Sequence, residues 1–366
     1  MNKKLWVVYL TCGGGHKKAA EAIYHKLKSD FDVQLINLLD FSSKGAKKAY
    51  EKGYEFFITH LPFVWKVCFF VFKIKWLTGF YNLTSLFWYK FLFSRFISNL
   101  RDNNPGIIIS THFISSLLVS KLKSDSEKFK FITCITDFEV YPLWVNKNTD
   151  YYMVANNFTR DYLINQFGVA LEMIWVTGIP LREGFMKDLS ADICQKYLKP
   201  KGLFTMLVFT SYFAKGPIQE IVDKFHKKCG LFVVYGKDYD LKAFIDSKQK
   251  EALFLKGFES VEEMWEIMYL SDLIVTKPGG LTVSECLWLK KPMLFIYAIY
   301  GQETGNANFV LNQGLGVFPK KDKVIDQISQ IIDKKNILAD FELKFSDYHK
   351  NNPLEDFKNK ILDIIK

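Results

Sequence analysis

Two rounds of alternating strand and helix patterns constrain the fold of this chain more than any other feature. Short apolar runs rich in β-branched and aromatic residues alternate with helical patterns such as 19–27 and 158–167, and the alternation restarts after a stretch with Pro, Gly and Lys near 178–202. This alternation predicts βαβ units and a parallel sheet in each half. The predicted strands are 5–10, 33–38, 107–110, 131–136 and 151–155, then 204–209, 232–235, 253–256, 273–276 and 293–296.

The chain length agrees with this pattern, because 366 residues exceed one ordinary core and suggest about two domains. We predict an α/β protein with two doubly wound, Rossmann-like domains, 1–185 and 186–340. A closing amphipathic helix is expected within 341–366, packed back on the first domain. Ligands of open parallel sheets bind outside the carboxyl ends of the strands, so the central cleft between two facing sheets is the expected site.

The charge and the cysteines narrow the class of protein. The net charge of +10 lies mainly in residues 1–180, which hold 22 Lys and Arg against 14 Asp and Glu. A basic surface attracts nucleic acid, anionic lipid or phosphorylated substrates, and charge alone does not choose among them. The six cysteines are scattered without a C-x-x-C pair, which argues against a zinc site or disulfides and favours the cytoplasm. The N-terminal run is typical of a first strand rather than a signal peptide, and no membrane-spanning helix is expected.

Residues 54–96 interrupt the βα pattern. They hold 17 aromatic residues and five cations against one acid, Glu55. Rings that enter a lipid headgroup region, beside cations that contact lipid phosphates, are what a segment at an anionic membrane surface needs. Two core helices with exposed lysines are one alternative, and stacking on single-stranded nucleic acid is another, although no recognisable DNA or RNA module accompanies the segment. The residues predicted to contact the membrane are Trp65, Lys66, Phe69, Phe70, Lys73, Lys75, Trp76, Trp88, Lys90 and Arg95.

A glycine loop ends the first predicted strand. Gly13, Gly14 and Gly15 let the backbone turn sharply, and His16 follows at the start of a helix. The dinucleotide spacing G-x-G-x-x-G does not occur here, nor does the phosphate-loop ending G-K-[ST]. His16 can exchange a proton near neutral pH and is therefore a candidate acid or base. A histidine that caps the helix or faces solvent is the alternative.

A second loop follows the predicted strand 273–276. Gly279 and Gly280 free the backbone at a helix start, where the helix dipole stabilises a diphosphate. Glu285, one turn into the helix, can accept hydrogen bonds from ribose hydroxyls. Gln302 and Glu303 carry acceptors suited to sugar hydroxyls. An ordinary helix cap and an exposed polar loop explain each half of this pattern but not their order.

The run from Lys277 to Glu285, followed by 301–309, resembles the nucleotide-sugar signature of a family of lipid glycosyltransferases. The family includes plant monogalactosyldiacylglycerol synthases and bacterial processive diacylglycerol glucosyltransferases. More distantly, the run is similar to the transferase that adds N-acetylglucosamine to the lipid-linked peptidoglycan precursor. The resemblance extends to the first glycine loop and to 136–138, 144–145 and 176–180, in the family's order over about residues 5–317.

The resemblance implies a GT-B architecture, with the lipid acceptor in the first domain and the UDP-sugar in the second. It implies that His16, beside the Gly13, Gly14 and Gly15 loop, is the catalytic candidate, and that Asp137 orients or assists a base, unless Asp137 is a structural aspartate. The donor-binding residues that it implies are Gly279, Gly280, Thr282, Glu285, Gln302, Glu303 and Asn306.

One loop departs from the family. After the first strand of the second domain, relatives have a glycine-rich loop, whereas this chain has 209–216 with bulky Tyr212 and Phe213. These rings crowd a diphosphate, or the hydroxyls of Thr210 and Ser211 with Lys215 replace the backbone donors. A catalytically weak homologue that binds nucleotide-sugar or lipid as a sensor is therefore the alternative from another functional class.

The sequence predicts an inverting enzyme that transfers galactose or glucose from a UDP-sugar to a membrane lipid hydroxyl. The expected acceptor is diacylglycerol and the expected product a β-glycolipid; a sterol or polyprenyl-linked acceptor is the alternative. We expect a peripheral protein on the cytoplasmic face of the cell membrane, with no nucleic-acid partner. Asp238 and Asp240 form a D-x-D pattern, but their lysine-rich loop favours a solvated turn, so no metal and no cofactor besides the donor are expected.

Overall fold

The structure, a computed structural model, describes residues 4–11, 14–123, 129–187, 193–209, 215–346 and 352–365. The chain divides into two compact units. The first unit comprises Met1–Arg182, Ile299–Gly305 and Asn351–Lys366, and the second comprises Glu183–Ala298 and Asn306–Lys350. The main division thus follows Arg182, close to the predicted boundary at residue 185.

One parallel sheet organises the first unit. Its strands are β1 (Lys4–Tyr9), β2 (Asp32–Asn37), β3 (Ile107–Ser110), β4 (Lys130–Cys134), β5 (Tyr151–Val154) and β6 (Ile174–Val176). They lie in the order β2-β1-β3-β4-β5-β6, and all neighbours are parallel. Leu5 and Val7 of β1 enter one buried core while Trp6 and Val8 enter another. The sheet is therefore covered on both faces, which explains its continuous apolar runs.

The helices of the first half flank this sheet. They are α1 (Gly15–Leu27), α2 (Lys44–His60), α3 (Pro62–Lys73), α4 (Lys75–Leu92), α5 (Ser94–Asn103), α6 (Phe113–Leu122) and α7 (Asn157–Phe167). Four of them, α2 to α5, occupy the region where the βα pattern is interrupted. Within the described part of the chain no single helix is long and apolar enough to cross a membrane, but the bent pair Lys44–His60 and Pro62–Val71, at 106°, passes the length and composition test together.

The second unit contains another parallel sheet. Its strands are β7 (Thr205–Phe209), β8 (Gly230–Val234), β9 (Phe254–Phe258), β10 (Leu273–Thr276), β11 (Met293–Phe295) and β12 (Gly316–Val317), in the order β12-β11-β10-β7-β8-β9. The later helices are α8 (Ile193–Tyr197), α9 (Lys215–Phe225), α10 (Tyr239–Lys248), α11 (Met264–Tyr269), α12 (Gly280–Leu289), α13 (Gln302–Asn312), α14 (Val324–Asp333), α15 (Lys335–Ser346) and α16 (Pro353–Ile365). Short 3₁₀ helices are Leu38–Phe41, Pro142–Trp144, Leu171–Met173, Glu183–Met186, Gln249–Glu251 and Lys321–Lys323.

The predicted fold class is confirmed by two Rossmann-like parallel sheets, and each predicted strand lies within two residues of an observed one. The strands that the sequence does not reveal, β6 and β12, have only three and two residues. A run of two residues carries no periodic pattern.

Two helices take the place of the single helix predicted for 341–366. α15 belongs to the second unit, whereas α16 packs on the first sheet, where Phe357 and Ile361 are buried and the Phe357 ring lies 6.3 Å from that of Trp175. Gly178, with φ +95°, makes the close approach possible, because a Cβ there would lie 2.9 Å from Cγ of Pro353.

Candidate active site

His16 lies in the first turn of α1, directly after the glycine loop. Its Nδ1 is 2.8 Å from the carbonyl oxygen of Thr111 and 2.9 Å from Oγ1 of Thr136. Thr111 in turn donates from Oγ1 to the backbone oxygen of His16 at 3.0 Å. These contacts arise because β1, β3 and β4 are neighbours in the sheet, so that the segments following them converge at one edge.

The contacts of His16 decide which of its nitrogens carries a proton. The carbonyl oxygen of Thr111 can only accept, so Nδ1 of the neutral ring donates to it and Nε2 keeps an unprotonated lone pair. Burial lowers the pKa of His16 from 6.5 to about 4, although the hydrogen bond to Thr111 opposes the shift. His16 is therefore neutral at pH 7, and its Nε2 is able to take a proton from a hydroxyl.

A second histidine, His112, lies beside His16 although no sequence pattern singles it out. It follows β3 and caps the N-terminus of α6, where its Nδ1 accepts a hydrogen bond from the backbone N–H of Ile114 at 3.1 Å. The two imidazole rings are 4.7 Å apart and nearly perpendicular. Burial, and to a smaller degree His16, lower the pKa of His112 well below its usual 6.5. Its position just after the predicted strand 107–110 is a sequence signal, but the pairing of that strand with β1 is seen only in the structure.

Both histidines line a cavity of about 390 Å³ in the first unit, which we term the histidine pocket. Its volume lies within the range of about 300–1,000 Å³ that is usual for small-molecule sites. The wall is mostly apolar and aromatic, and it includes Tyr54, Trp65, Phe69, Tyr141 and Gln302. The pocket thus joins two polar ring nitrogens to a surface that suits an apolar ligand.

Asp137 is buried near this site but is not the group that orients His16. Its carboxylate accepts a hydrogen bond from Nε1 of Trp144 at 3.2 Å, and the Trp144 ring lies 6.1 Å from that of His16. The orienting contacts come from Thr111 and Thr136 instead. Gly14 and Gly15 lead into α1 as predicted from the loop, whereas Gly13 lies outside the described residues.

In the second unit, α12 begins immediately after the loop that follows β10. No described side chain caps this helix at Gly279, and a Cβ built on Gly279 would lie 3.8 Å both from Nζ of Lys277 and from Oγ1 of Thr282. Backbone N–H groups, a cation and a hydroxyl are thus close together from Lys277 to Thr282. Such a helix end favours a phosphate. Lys277 is an addition to the predicted donor residues, and its signal was its place in the same run.

Glu285 lies on α12 and only 4% of its surface is exposed. A carboxylate can accept hydrogen bonds from ribose hydroxyls. Its role in ribose binding stays a prediction.

The three predicted donor-binding residues of α13 have different surroundings. Gln302 lines the histidine pocket. Oε2 of Glu303 accepts a hydrogen bond from the backbone N–H of Ile299 at 2.7 Å. Asn306 is fully buried, and its Nδ2 donates to the carbonyl oxygen of Pro278 at 3.1 Å. Asn306 therefore supports the loop before α12.

Two loops of the second unit remain from the sequence analysis. Thr210 and Ser211 lie outside the described residues. Asp238 caps α10 by accepting a hydrogen bond from the backbone N–H of Leu241 at 2.9 Å, which agrees with a structural turn. Across the described ranges, no three His, Cys, Asp or Glu residues are grouped as metal ligands would be.

The residues predicted to contact a membrane fall into exposed and enclosed sets. Phe70 and Trp88 are 59% and 67% exposed, and Lys66 and Lys90 are also exposed. Nζ of Lys66 lies 5.0 Å from the centre of the Tyr300 ring. The side chains of Lys73, Lys75 and Trp76 lie outside the described ones.

The prediction for Phe69 is wrong, because this ring is buried and stacks on Tyr141 at 4.0 Å. Trp65 is partly buried and donates from Nε1 to the carbonyl oxygen of Tyr300 at 3.2 Å. The Arg95 guanidinium donates to the carbonyl oxygens of Phe41 and Ser42, at the end of the 3₁₀ helix Leu38–Phe41. Trp65 and Phe69 are thus part of the wall of the histidine pocket rather than of an exposed surface.

Comparisons with known proteins match each half of the chain to a family model. Residues 16–181 match the family model described as monogalactosyldiacylglycerol (MGDG) synthase, and residues 216–361 match the glycosyltransferase family 28 C-terminal domain. The chain is a glycosyltransferase of the GT-B class. The two matches cover most of its length and confirm the resemblance to lipid glycosyltransferases that the sequence motifs indicate.

The sequence similarity to named relatives extends over most of the chain. The chain is 28% identical to the "Probable monogalactosyldiacylglycerol synthase 2, chloroplastic" of Oryza sativa subsp. indica, over 87% of this chain and 71% of that protein. It is 22% identical to the "Processive diacylglycerol beta-glucosyltransferase" of Bacillus subtilis, over 99% of this chain and 95% of that protein. Among solved structures, Acinetobacter baumannii MurG shares the fold with a TM-score of 0.59 at 12% identity, over 98% of this chain and 99% of that one.

Proposed function

We propose that this glycosyltransferase transfers a hexose from UDP-glucose or UDP-galactose to the free hydroxyl of diacylglycerol, forming a β-linked glycolipid. The observation that carries the proposal is the unprotonated Nε2 of His16 in a pocket whose wall is mostly aromatic. An acceptor with an apolar body and a reactive hydroxyl suits such a pocket. The printed names of the plant and bacterial relatives support diacylglycerol as that acceptor.

The chemical step follows from the protonation of His16. Nε2 takes the proton of the acceptor hydroxyl as its oxygen forms a bond to the anomeric carbon. The bond between that carbon and the diphosphate breaks, and UDP departs with the electron pair. Attack opposite the leaving group inverts the configuration, so an α-linked donor gives a β-glycoside. Thr111 and Thr136 keep Nδ1 engaged and hold the ring in the tautomer that leaves Nε2 available.

The start of α12 is the proposed site of the donor diphosphate. Its backbone N–H groups, Thr282 and Lys277 supply donors and positive charge for the departing UDP. This arrangement stabilises a leaving diphosphate without a metal ion. We therefore propose that the enzyme needs no metal and no cofactor besides the donor.

Peripheral docking on the cytoplasmic face of an anionic membrane is the proposed route to the acceptor. Large apolar side chains on α3 and α4 are exposed, and lysines flank them. Rings and cations of this kind bind the boundary between headgroups and acyl chains. The docked helices would bring the lipid hydroxyl to the histidine pocket, whose wall they help to form.

Lipid transfer tests the proposed function directly. The purified protein is incubated with radiolabelled UDP-glucose or UDP-galactose and vesicles of phosphatidylglycerol and phosphatidylcholine that contain diacylglycerol, and the lipids are separated by chromatography. We expect a labelled β-glycolipid, and we expect the rate of its formation to be unchanged by EDTA. Vesicles with a sterol or a polyprenyl phosphate in place of diacylglycerol distinguish the other acceptors. Label in none of these lipids, despite UDP binding, would point to a sensor. Loss of activity in EDTA with rescue by Mn²⁺ would overturn the metal-free proposal.

Replacing Glu285 with Ala is expected to weaken UDP binding by about 10- to 150-fold. The ribose hydroxyls would lose a charged acceptor, and a hydrogen bond to a charged group is worth about 1.5–3 kcal/mol. Calorimetric titration with UDP measures the change. Glu285→Gln keeps an acceptor but removes the charge, so its affinity for UDP should lie between those of wild type and Glu285→Ala. A folded Glu285→Ala variant that binds UDP as tightly as wild type would remove Glu285 from the donor site.

A further inference from the structure

His112 is a buried histidine that the mechanism above does not use. It lines the same pocket as His16, and the two ring centres are 4.7 Å apart. Its cap of α6 explains one ring nitrogen, Nδ1, but not the other. A Ser, Thr or Asn in the same N-cap position would accept the hydrogen bond from the N–H of Ile114 without placing an imidazole in the pocket.

The cap fixes the tautomer of His112 in the opposite sense to that of His16. Because Nδ1 of His112 accepts from the backbone N–H of Ile114, a neutral ring carries its proton on Nε2. No described residue accepts a hydrogen bond from this Nε2. The pocket therefore contains one ring nitrogen that accepts, Nε2 of His16, and one that donates, Nε2 of His112.

An alcohol oxygen matches this pair of nitrogens. Its hydroxyl proton points to an acceptor, one lone pair accepts a hydrogen bond, and the second lone pair stays available for attack. Rings with centres 4.7 Å apart are near enough for one oxygen to contact both. An amide or ester carbonyl could use only the donor, and a cation could use only the acceptor.

We propose that His112 is a second acceptor-binding residue, which donates from Nε2 to the hydroxyl oxygen of the lipid while Nε2 of His16 accepts the hydroxyl proton. The proposal rests on the proposed function, since it assigns the atoms that hold the acceptor. The two contacts hold the remaining lone pair in a fixed direction. Such an orientation of the attacking atom raises the rate of the reaction beyond what tighter binding alone would give. His112 thus affects turnover more than lipid binding.

Two substitutions separate this role from the cap. His112→Asn keeps the cap, because a side-chain oxygen at this position accepts from the N–H of Ile114, but it removes the Nε2 donor. His112→Gln removes the cap geometry, but its longer amide carries an N–H towards the pocket. We expect His112→Asn to keep the melting temperature of wild type while kcat for transfer to dioctanoylglycerol falls about ten- to a hundredfold. We expect His112→Gln to be less stable, yet to retain more transfer than His112→Asn. UDP binding should be equal in all three.

A measurement without turnover distinguishes this inference from the proposed function. Nitrogen-15 spectra of the histidine rings report the tautomer of each ring, and dioctanoylglycerol should shift the Nε2–H signal of His112 in the wild type. A shift without hexose transfer would sustain the binding role and sink the proposed function. Normal transfer by His112→Asn, or a His112 signal that ignores the lipid, would overturn the role of His112 while the proposed function stands.

Discussion

Replacing His16 with Ala is expected to lower the rate of hexose transfer about a hundredfold or more, since general bases contribute about 10²–10⁴ to rate. UDP binding should stay near that of wild type, because the donor residues lie on other elements. Initial rates with dioctanoylglycerol, together with calorimetric titration of UDP, measure both effects. The low pKa of His16 adds a second expectation. With a pKa of about 4, His16 stays unprotonated as the pH falls from 8 to 5, so kcat/KM should lose activity only near pH 4 rather than near 6.5.

The same helix offers a matched control for His16. His25 lies in the last turn of α1 and is exposed, so His25→Ala changes the same residue type on the same element and should leave transfer unchanged. Wild-type turnover in His16→Ala would exclude His16 as the base and leave Asp137 as the next candidate. An acidic limb near pH 6.5 that disappears in His16→Ala would contradict the low pKa of His16 but would still identify it as the base.

The central strands of both sheets could be predicted because they are buried on two faces. Such a strand is a continuous apolar run, as in 107–110, and the run itself marks its ends. The glycine loop and the run from Lys277 to Glu285 could be predicted for a related reason, since both follow such strands. β12 was not predicted because it has only two residues; β6 was also missed, although it is as long as β11, which was predicted.

The partners of His16 could not be predicted from its own segment. Thr111 and Thr136 are 95 and 120 residues away in sequence, and only the strand order brings them to His16. His112 escaped for the same reason, because a lone histidine after a strand becomes informative only when the neighbouring strand is known. Asp137 was a reasonable candidate by motif, but its carboxylate faces Trp144.

Composition predicted the unusual character of 54–96 but not the fate of each ring. Phe69 and Phe70 are adjacent in sequence, yet the first stacks on Tyr141 and the second is 59% exposed. A helix turns by about 100° per residue, so neighbours face different surroundings. Which face meets the protein depends on Tyr141 and Tyr300, far away in the sequence.

Removing the most exposed rings of α3 and α4 is expected to abolish vesicle binding. The five side chains that we term the exposed aromatic set are 59–79% exposed: Phe63, Phe70, Phe87, Trp88 and Phe91. Full burial of such a ring is worth about 1.5–3 kcal/mol, so even about 1 kcal/mol for each of five corresponds to roughly 4,000-fold weaker binding. Sedimentation of the variant with Ser at all five positions, using vesicles of phosphatidylglycerol and phosphatidylcholine, measures the loss. Transfer to vesicle-embedded diacylglycerol should fall in parallel, whereas transfer to detergent-dispersed dioctanoylglycerol should not.

Lysine substitutions and a control set of apolar residues elsewhere on the protein then separate specific docking from non-specific hydrophobic adsorption. Each cation near an anionic surface contributes about 1 kcal/mol, screened over a Debye length of about 10 Å at 0.1 M salt, so Gln at Lys66, Lys73, Lys75 and Lys90 should weaken binding only to anionic vesicles and most at low salt. Arg95 is left unchanged because its guanidinium holds backbone carbonyls. The matched control places Ser at five other apolar residues that are 55–75% exposed, namely Leu171, Leu198, Tyr239, Leu253 and Leu343. This control should bind vesicles as wild type does. Equal loss in the control would mean that binding is unspecific, and undiminished binding by the aromatic variant would mean that α3 and α4 serve another partner.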